Sequence, residues 1–208
     1  LYADRVLLYD SVVSGNCYKV RLLLAHLGVE YERHEVDVVE RSGREQLLGA
    51  LNPALRVPTL VLDDGRPLAE SNAILWYLAS DTRHLPVRYL PEDEYRRAKV
   101  LQWMFFEQYS HEPYIAVVRF LVAVAPQPAP ESELESRRAG GYRALDAMER
   151  ELATREFLVA GGYTIADIAL YAYTHVAGEG GFELERYPAI RAWLARVAAQ
   201  PGHVPITA

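Results

Sequence analysis

A strand, a helix and a second strand succeed one another between residues 5 and 38, and that succession restricts the fold more than any other feature of the chain. RVLLY (residues 5 to 9) is short, apolar and partly β-branched, the pattern of a buried strand. Val20, Leu23, Leu24 and Leu27 then recur at helical spacing after Asn16, and Gly28 stands where a glycine ends a helix. VEYERHEVDV (29 to 38) returns to a strand pattern. Strands joined through a helix pair in parallel with a right-handed crossover, so this stretch reads as a βαβ unit.

The next elements extend that unit. SGREQLLGALN predicts one short helix, and VPTLVLDDGRPLAE predicts two antiparallel strands around the hairpin signal Asp64-Gly65. Ser71 or Asn72 then caps a helix carrying Ile74, Leu75 and Leu78 on one face. After Ala79 the composition changes to prolines and charges without periodicity, which marks a linker over residues 81–93 between domains 1–80 and 94–208. From Glu94 the pattern is helical only. Val100, Leu101, Met104 and Phe105 share a face, Pro113 reads as a kink or break, and PQPAP as a loop. Further helices follow in ESRRAGGYRALDAMERELA, TIADIALYAYTHVA and AIRAWLARVAA. Thr164 and Asp167 have the spacing of a capping box. The glycine pairs 140–141, 161–162 and 180–181 lack a phosphate-loop pattern and read as helix breaks or packing points.

Composition narrows the function. The 208 residues are 50% hydrophobic, enough for a sizeable core, and the net charge of -6 with scattered Lys and Arg argues against nucleic acid as a partner. One cysteine forms no internal disulfide, and it and six histidines show no paired metal-ligand spacing, so a reducing cytoplasm and no metal are expected. No apolar run approaches the roughly 20 residues of a membrane span.

LNPALRVPTLVLDDG (51 to 65), AESNAILWYL (69 to 78), TIADIALYAY (164 to 173) and the turn SGNCYKVRLLL resemble segments of the glutathione transferases, over nearly the whole chain. The resemblance implies a thioredoxin-like βαβαββα domain followed by a helical bundle domain, an α/β plus all-α architecture. It implies glutathione as substrate, a cytosolic homodimer and a role in detoxification. Glu70 and Ser71 would bind the γ-glutamyl end. A helix N-terminus suits the ligand's carboxylate, and Glu70 would answer its ammonium; read from the helix signals alone, the same two residues are a dipole-compensating acid and an N-cap. Val57 would pair its backbone with the cysteinyl unit ahead of a cis bond to Pro58. Arg56 would sit near the glycine carboxylate, where the family commonly has glutamine or lysine.

Ser14 falls at the strand-to-helix turn, in register with the family's catalytic serine, threonine or cysteine through Lys19, Val20 and Arg21. With Asn16 it resembles the Thr-x-Asn of the nu class, in which both side chains approach the sulfur. Cys17 is the rival that the beta class suggests, but its spacing to Val20 and Leu24 turns it toward the core. Tyr9, in a strand, is the weaker candidate. Glu107, Tyr109, His111, Tyr114 and Arg119 lie where the second domain would meet an electrophile; a solvated helix face explains the same mixture. The expected activity is conjugation of glutathione to a small hydrophobic electrophile. Glutathione-dependent disulfide reduction and a non-catalytic binding module are the alternatives, and zeta-class isomerisation is a minor one because Tyr18 replaces that class's tryptophan.

Overall fold

The computed structural model describes residues 6–40, 43–80 and 89–208. They form two compact units: one from the described residues of Leu1–Arg88 together with Pro201–Ala208, the other from Tyr89–Gln200. Residues 81–88 of the expected linker lie outside the described residues. Tyr89 and Leu90 are buried, and the Tyr89 carbonyl accepts from the Ile165 amide at 3.0 Å within the second unit.

The first unit runs β1 (Val6–Asp10), α1 (Gly15–Leu27), β2 (Tyr31–Glu35), α2 (Arg44–Leu48), β3 (Thr59–Val61), β4 (Pro67–Ala69) and α3 (Ser71–Ser80). The sheet order is β2-β1-β3-β4, with β2 parallel to β1 and the other pairs antiparallel. Gly28 ends α1 in the left-handed conformation at φ 64°, where its amide reaches back to the carbonyls of Ala25 and Leu24. Cys17, Val20, Leu23 and Leu24 of α1 are wholly buried. Burial, reinforced by the Asp10 carboxylate, pushes the Cys17 thiol well above the ordinary range of thiols.

The C-terminal segment, expected with the helical half, docks on the first unit instead. The Tyr18 hydroxyl donates to the Val204 carbonyl at 2.7 Å, Arg21 Nη2 donates to Ile206 O at 2.6 Å, and Arg33 Nη1 donates to Ala208 O at 3.2 Å. Arg21 is buried, and its Nη1 also donates to buried Asp10 at 2.6 Å. A guanidinium has five donors, so one side chain can hold a carboxylate and a returning chain together.

The described residues of the second unit hold helices joined by turns and loops, and no strand: α4 (Glu94–Phe106), α5 (Glu112–Arg119), α6 (Glu131–Leu152), α7 (Ile165–Thr174) and α8 (Pro188–Ala198). Pro113 does not break the helix. The chain passes from α4 to α5 through a π-helical turn, Glu107–His111, in which the Glu112 amide bonds to the Glu107 carbonyl. The wide turn accommodates a proline that cannot donate and would crowd the preceding turn. The core face of α4 also differs from expectation: Val100, Trp103 and Met104 are buried, while Phe105 is 69% exposed. Gly140 and Gly141 sit inside α6 as packing points, where a Cβ would meet the rings of Tyr114 and Phe182.

The Thr164 and Asp167 capping box forms at the start of α7. Asp167 is fully buried and accepts from the amides of Leu158 and Thr164, the Thr164 hydroxyl and the Trp193 indole, all within 3.1 Å. Burial pushes its carboxyl up to about 6, against the pull of those four donors.

Asp167→Ala orphans the four donors, and a loss of about 3 kcal/mol is expected in urea unfolding of the protein. A protonated Asp167 is retained by the native state, but not by the unfolded chain, between the ordinary carboxyl value of 3.8 and about 6. Its contribution to stability is therefore fullest below that window and lost as pH rises through 6. Unfolding midpoints measured across the window should show this component in the unmutated protein and not in Asp167→Ala. Cys17 should resist a chromogenic disulfide reagent in the native protein and react at once in denaturant; rapid native labelling would contradict its burial.

Candidate functional site

The turn after β1 ends at Ser14, the N-cap of α1. Its extended backbone (φ −85°, ψ 118°) lets Oγ accept from the Cys17 amide at 3.3 Å. With one Oγ lone pair engaged there, the hydroxyl hydrogen is left for a further partner. No acidic residue occupies the first turn of α1, so no side chain of that turn offsets the positive end of its dipole. Cys17, one turn inward, is enclosed in the core. Tyr9 stays in β1, half-buried, its ring 5.0 Å from that of His34.

A second helix start lies beside the first. α3 begins at Ser71, not with Ser71 or Asn72 as its cap: the residue before it is Glu70, whose carbonyl accepts from the Ile74 amide at 2.9 Å. Glu70 adopts φ 67° and is exposed. A left-handed backbone costs a non-glycine residue roughly 1 kcal/mol or more, and such positions gather at functional sites. Ser71 is buried, and its hydroxyl donates to Asn16 Oδ1 at 3.2 Å. That bond ties the first turn of α1 to the first turn of α3.

Two residues not singled out for chemistry complete the arrangement. Lys19 is fully buried on α1, and its Nζ donates to Ser71 Oγ at 3.4 Å. Its spacing of three from Asn16 was the available signal, since residues so placed share a helix face. Asn52 is buried beneath the turn that carries Arg56 and Val57: Nδ2 donates to Arg56 O at 2.9 Å and to Thr59 Oγ1 at 3.0 Å, and Oδ1 accepts from the Ala54 amide. The Val57-Pro58 peptide is cis, Val57 is half-buried and Arg56 exposed. Within the first unit the structure thus brings Ser14, Asn16 and Ser71 onto two helix starts, with Glu70 at the second.

The residues of 106 to 120 do not converge. Glu107 is buried and its Oε2 accepts from the Gln108 side-chain Nε2 at 2.8 Å. His111 is buried against Thr174 at 2.9 Å; because that hydroxyl donates to Leu170 O, the histidine Nε2 is the donor. Arg119 pairs with Glu179 at 2.7 Å. Tyr114 packs on Gly140, and Tyr109 is 85% exposed. A cavity of about 400 Å³ in this unit is lined by Gln102, Trp103, Phe106, Ala147, Arg150 and Glu151, and by none of those five. No helix among the described residues is long and apolar enough to cross a membrane, and they contain no cluster of His, Cys, Asp and Glu fit to hold a metal.

Comparison with known proteins agrees with this architecture. Residues 13–81 match the glutathione S-transferase N-terminal domain and residues 111–201 the glutathione S-transferase C-terminal domain. The crystal structure of a glutathione S-transferase from Pseudomonas fluorescens Pf-5 superposes with a TM-score of 0.91 at 47% identity, covering 99% of this chain and 100% of that one. Glutathione S-transferase 2 of Schizosaccharomyces pombe is 30% identical over 93% of this chain and 91% of its own. The disulfide-bond oxidoreductase YfcG of Escherichia coli is 27% identical over 89% and 87%. With both domains matched in order and the fold shared along the chain, the protein belongs to the glutathione S-transferase family.

Proposed function

We propose that the protein binds glutathione on its first unit and transfers it to a small hydrophobic electrophile, acting as a cytosolic homodimer. The observation that carries this reading is the Ser71 to Asn16 hydrogen bond, which sets two helix starts side by side. One anionic ligand with two negative centres suits such a pair. The amides at the start of α3 receive the γ-glutamyl carboxylate and Glu70 its ammonium, while the start of α1 faces the sulfur. Val57, ahead of Pro58, offers its backbone to the cysteinyl unit, and Arg56 its charge to the glycine carboxylate.

The chemistry then requires a thiolate, because the thiol itself is a poor nucleophile. Ser14 donates its hydroxyl hydrogen and Asn16 its side-chain amide to the sulfur, and the dipole of α1 adds to both. The thiolate attacks the electrophilic carbon, a carbon–sulfur bond forms, and the leaving group departs with the electron pair of its own bond. In the helical unit, exposed Tyr109 and half-buried Tyr114 are the candidates for meeting the electrophile, and Glu107, His111 and Arg119 are its internal frame.

Similarity to a disulfide-bond oxidoreductase supports disulfide reduction as a second reading. Buried Cys17 is a poor redox thiol, so the two electrons would come from two glutathione molecules: one thiolate attacks the substrate disulfide, and a second resolves the mixed disulfide.

Glutathione titration followed by rates with an aromatic halide and with a mixed glutathione disulfide tests both. Saturable binding at millimolar glutathione is expected, and Ser14→Ala or Asn16→Ala should each lower kcat about 10- to 100-fold, the loss of a hydrogen bond to a charged group. Absence of binding at millimolar glutathione defeats both readings. Binding without turnover of either substrate points to a non-catalytic module.

A further inference from the structure

We propose that Lys19 is a positioning residue that fixes the donor direction of the glutathione site, an inference that rests on the function proposed above. A lysine head group donates and never accepts. Its Nζ lies 3.4 Å from Ser71 Oγ, so that oxygen must be the acceptor. The serine has one hydrogen, and it goes to Asn16 Oδ1 at 3.2 Å. The carboxamide of Asn16 is then oriented with its oxygen toward Ser71 and its NH₂ toward the opposite side. Each link has a single polarity, set from the lysine outward.

That polarity matters for an anionic sulfur. An asparagine whose amide turned over would present its carbonyl oxygen to the thiolate, replacing attraction by repulsion. Amide and carbonyl have nearly the same shape, so packing alone does not choose between them; a donor-only partner two bonds away does. The burial of Lys19 fits this role. Enclosing an amine at 0% exposure carries a desolvation penalty that a leucine or methionine at the same place on α1 would not. The chain that starts at Lys19 also begins and ends on one face of α1, because Asn16 and Lys19 are three residues apart, and crosses to α3 through the Ser71 hydroxyl.

The test is a double-mutant cycle read in kcat with the aromatic halide. Lys19→Met should lower kcat about tenfold, the loss of one well-placed hydrogen bond. In an Asn16→Ala background the same substitution should cost less than about twofold, since the group it positions is gone. Lys19→Arg keeps a head group that only donates and should recover most of the rate lost in Lys19→Met. A wild-type kcat in Lys19→Met, an equal loss in both backgrounds, or no recovery in Lys19→Arg overturns the proposal. Should Lys19→Met not fold, the Asn16 side-chain amide protons of the unmutated protein carry the test by NMR. A single orientation that persists without ligand supports the relay, and two exchanging orientations overturn it. Failure of the unmutated protein to bind glutathione defeats the functional reading alone, because the amide orientation is measured without ligand.

Discussion

The placement of the site depends on a buried carboxylate. Asp10 closes β1 at 0% exposure, and an uncompensated charge there would cost several kcal/mol. Arg21 of α1 meets it at 2.6 Å, and Arg33 of β2 approaches its second oxygen at 2.6 Å, a close ionic contact without the alignment of a good hydrogen bond. One acid thereby joins three consecutive elements. Such a cluster contributes little net stability compared with an apolar core of equal volume; its effect is to fix geometry, since a partner withdrawn leaves a charge unpaired. Holding Arg21 against Asp10 fixes the rotation of α1 about its own axis, and the same rotation places Ser14 and Asn16 at the end of the sheet. Arg21 also holds the C-terminal segment through Ile206. The returning chain is therefore part of what positions α1.

Much of the fold was legible from the sequence because its signals are local. The apolar period after Asn16, the glycine at 28, the Asp64-Gly65 hairpin and the Thr164 and Asp167 cap each act within a few residues, and each appears in the structure where its spacing places it. The features that escaped are those set by distant partners. Nothing near Ile206 announces that Arg21 will bind its carbonyl, and nothing near Lys19 announces Ser71, 52 residues away in sequence. The π turn before Pro113 belongs to the same group. A proline predicts an interruption, but whether the chain breaks or widens by one residue is decided by the packing of the helices on either side.

The candidate site divides similarly. Ser14 could be placed from the strand-to-helix turn, and the burial of Cys17 from its spacing to Val20 and Leu24. The position of Ser71 inside the helix, with Glu70 ahead of it at positive φ, could not be read from residue preferences, because a serine at a helix start is ordinarily the cap. For 106 to 120, composition suggested a polar pocket. The structure shows instead how polar side chains are accommodated within a helical unit: His111 on a threonine hydroxyl, Arg119 on a glutamate, Glu107 on a neighbouring amide. Mixed composition reports that polar groups have partners, without saying whether the partners are protein or ligand.

Helical geometry explains how reactive and inert groups coexist in one turn. Successive residues are rotated by about 100°, so residues three or four apart share a face and adjacent residues do not. Cys17, Val20 and Leu24 follow that period into the core, where burial keeps the thiol protonated. Asn16 and Lys19 follow it one residue earlier, onto the face that meets Ser71 at the start of α3. Ser14 stands outside the period altogether, because as N-cap its backbone is extended and its side chain folds back over the first amides. Three neighbouring residues thus reach a core, a polar relay and an open helix end. The separation of the protein's own sulfur from the groups arranged around the site follows from the pitch of α1 and from the ion pair that holds its rotation.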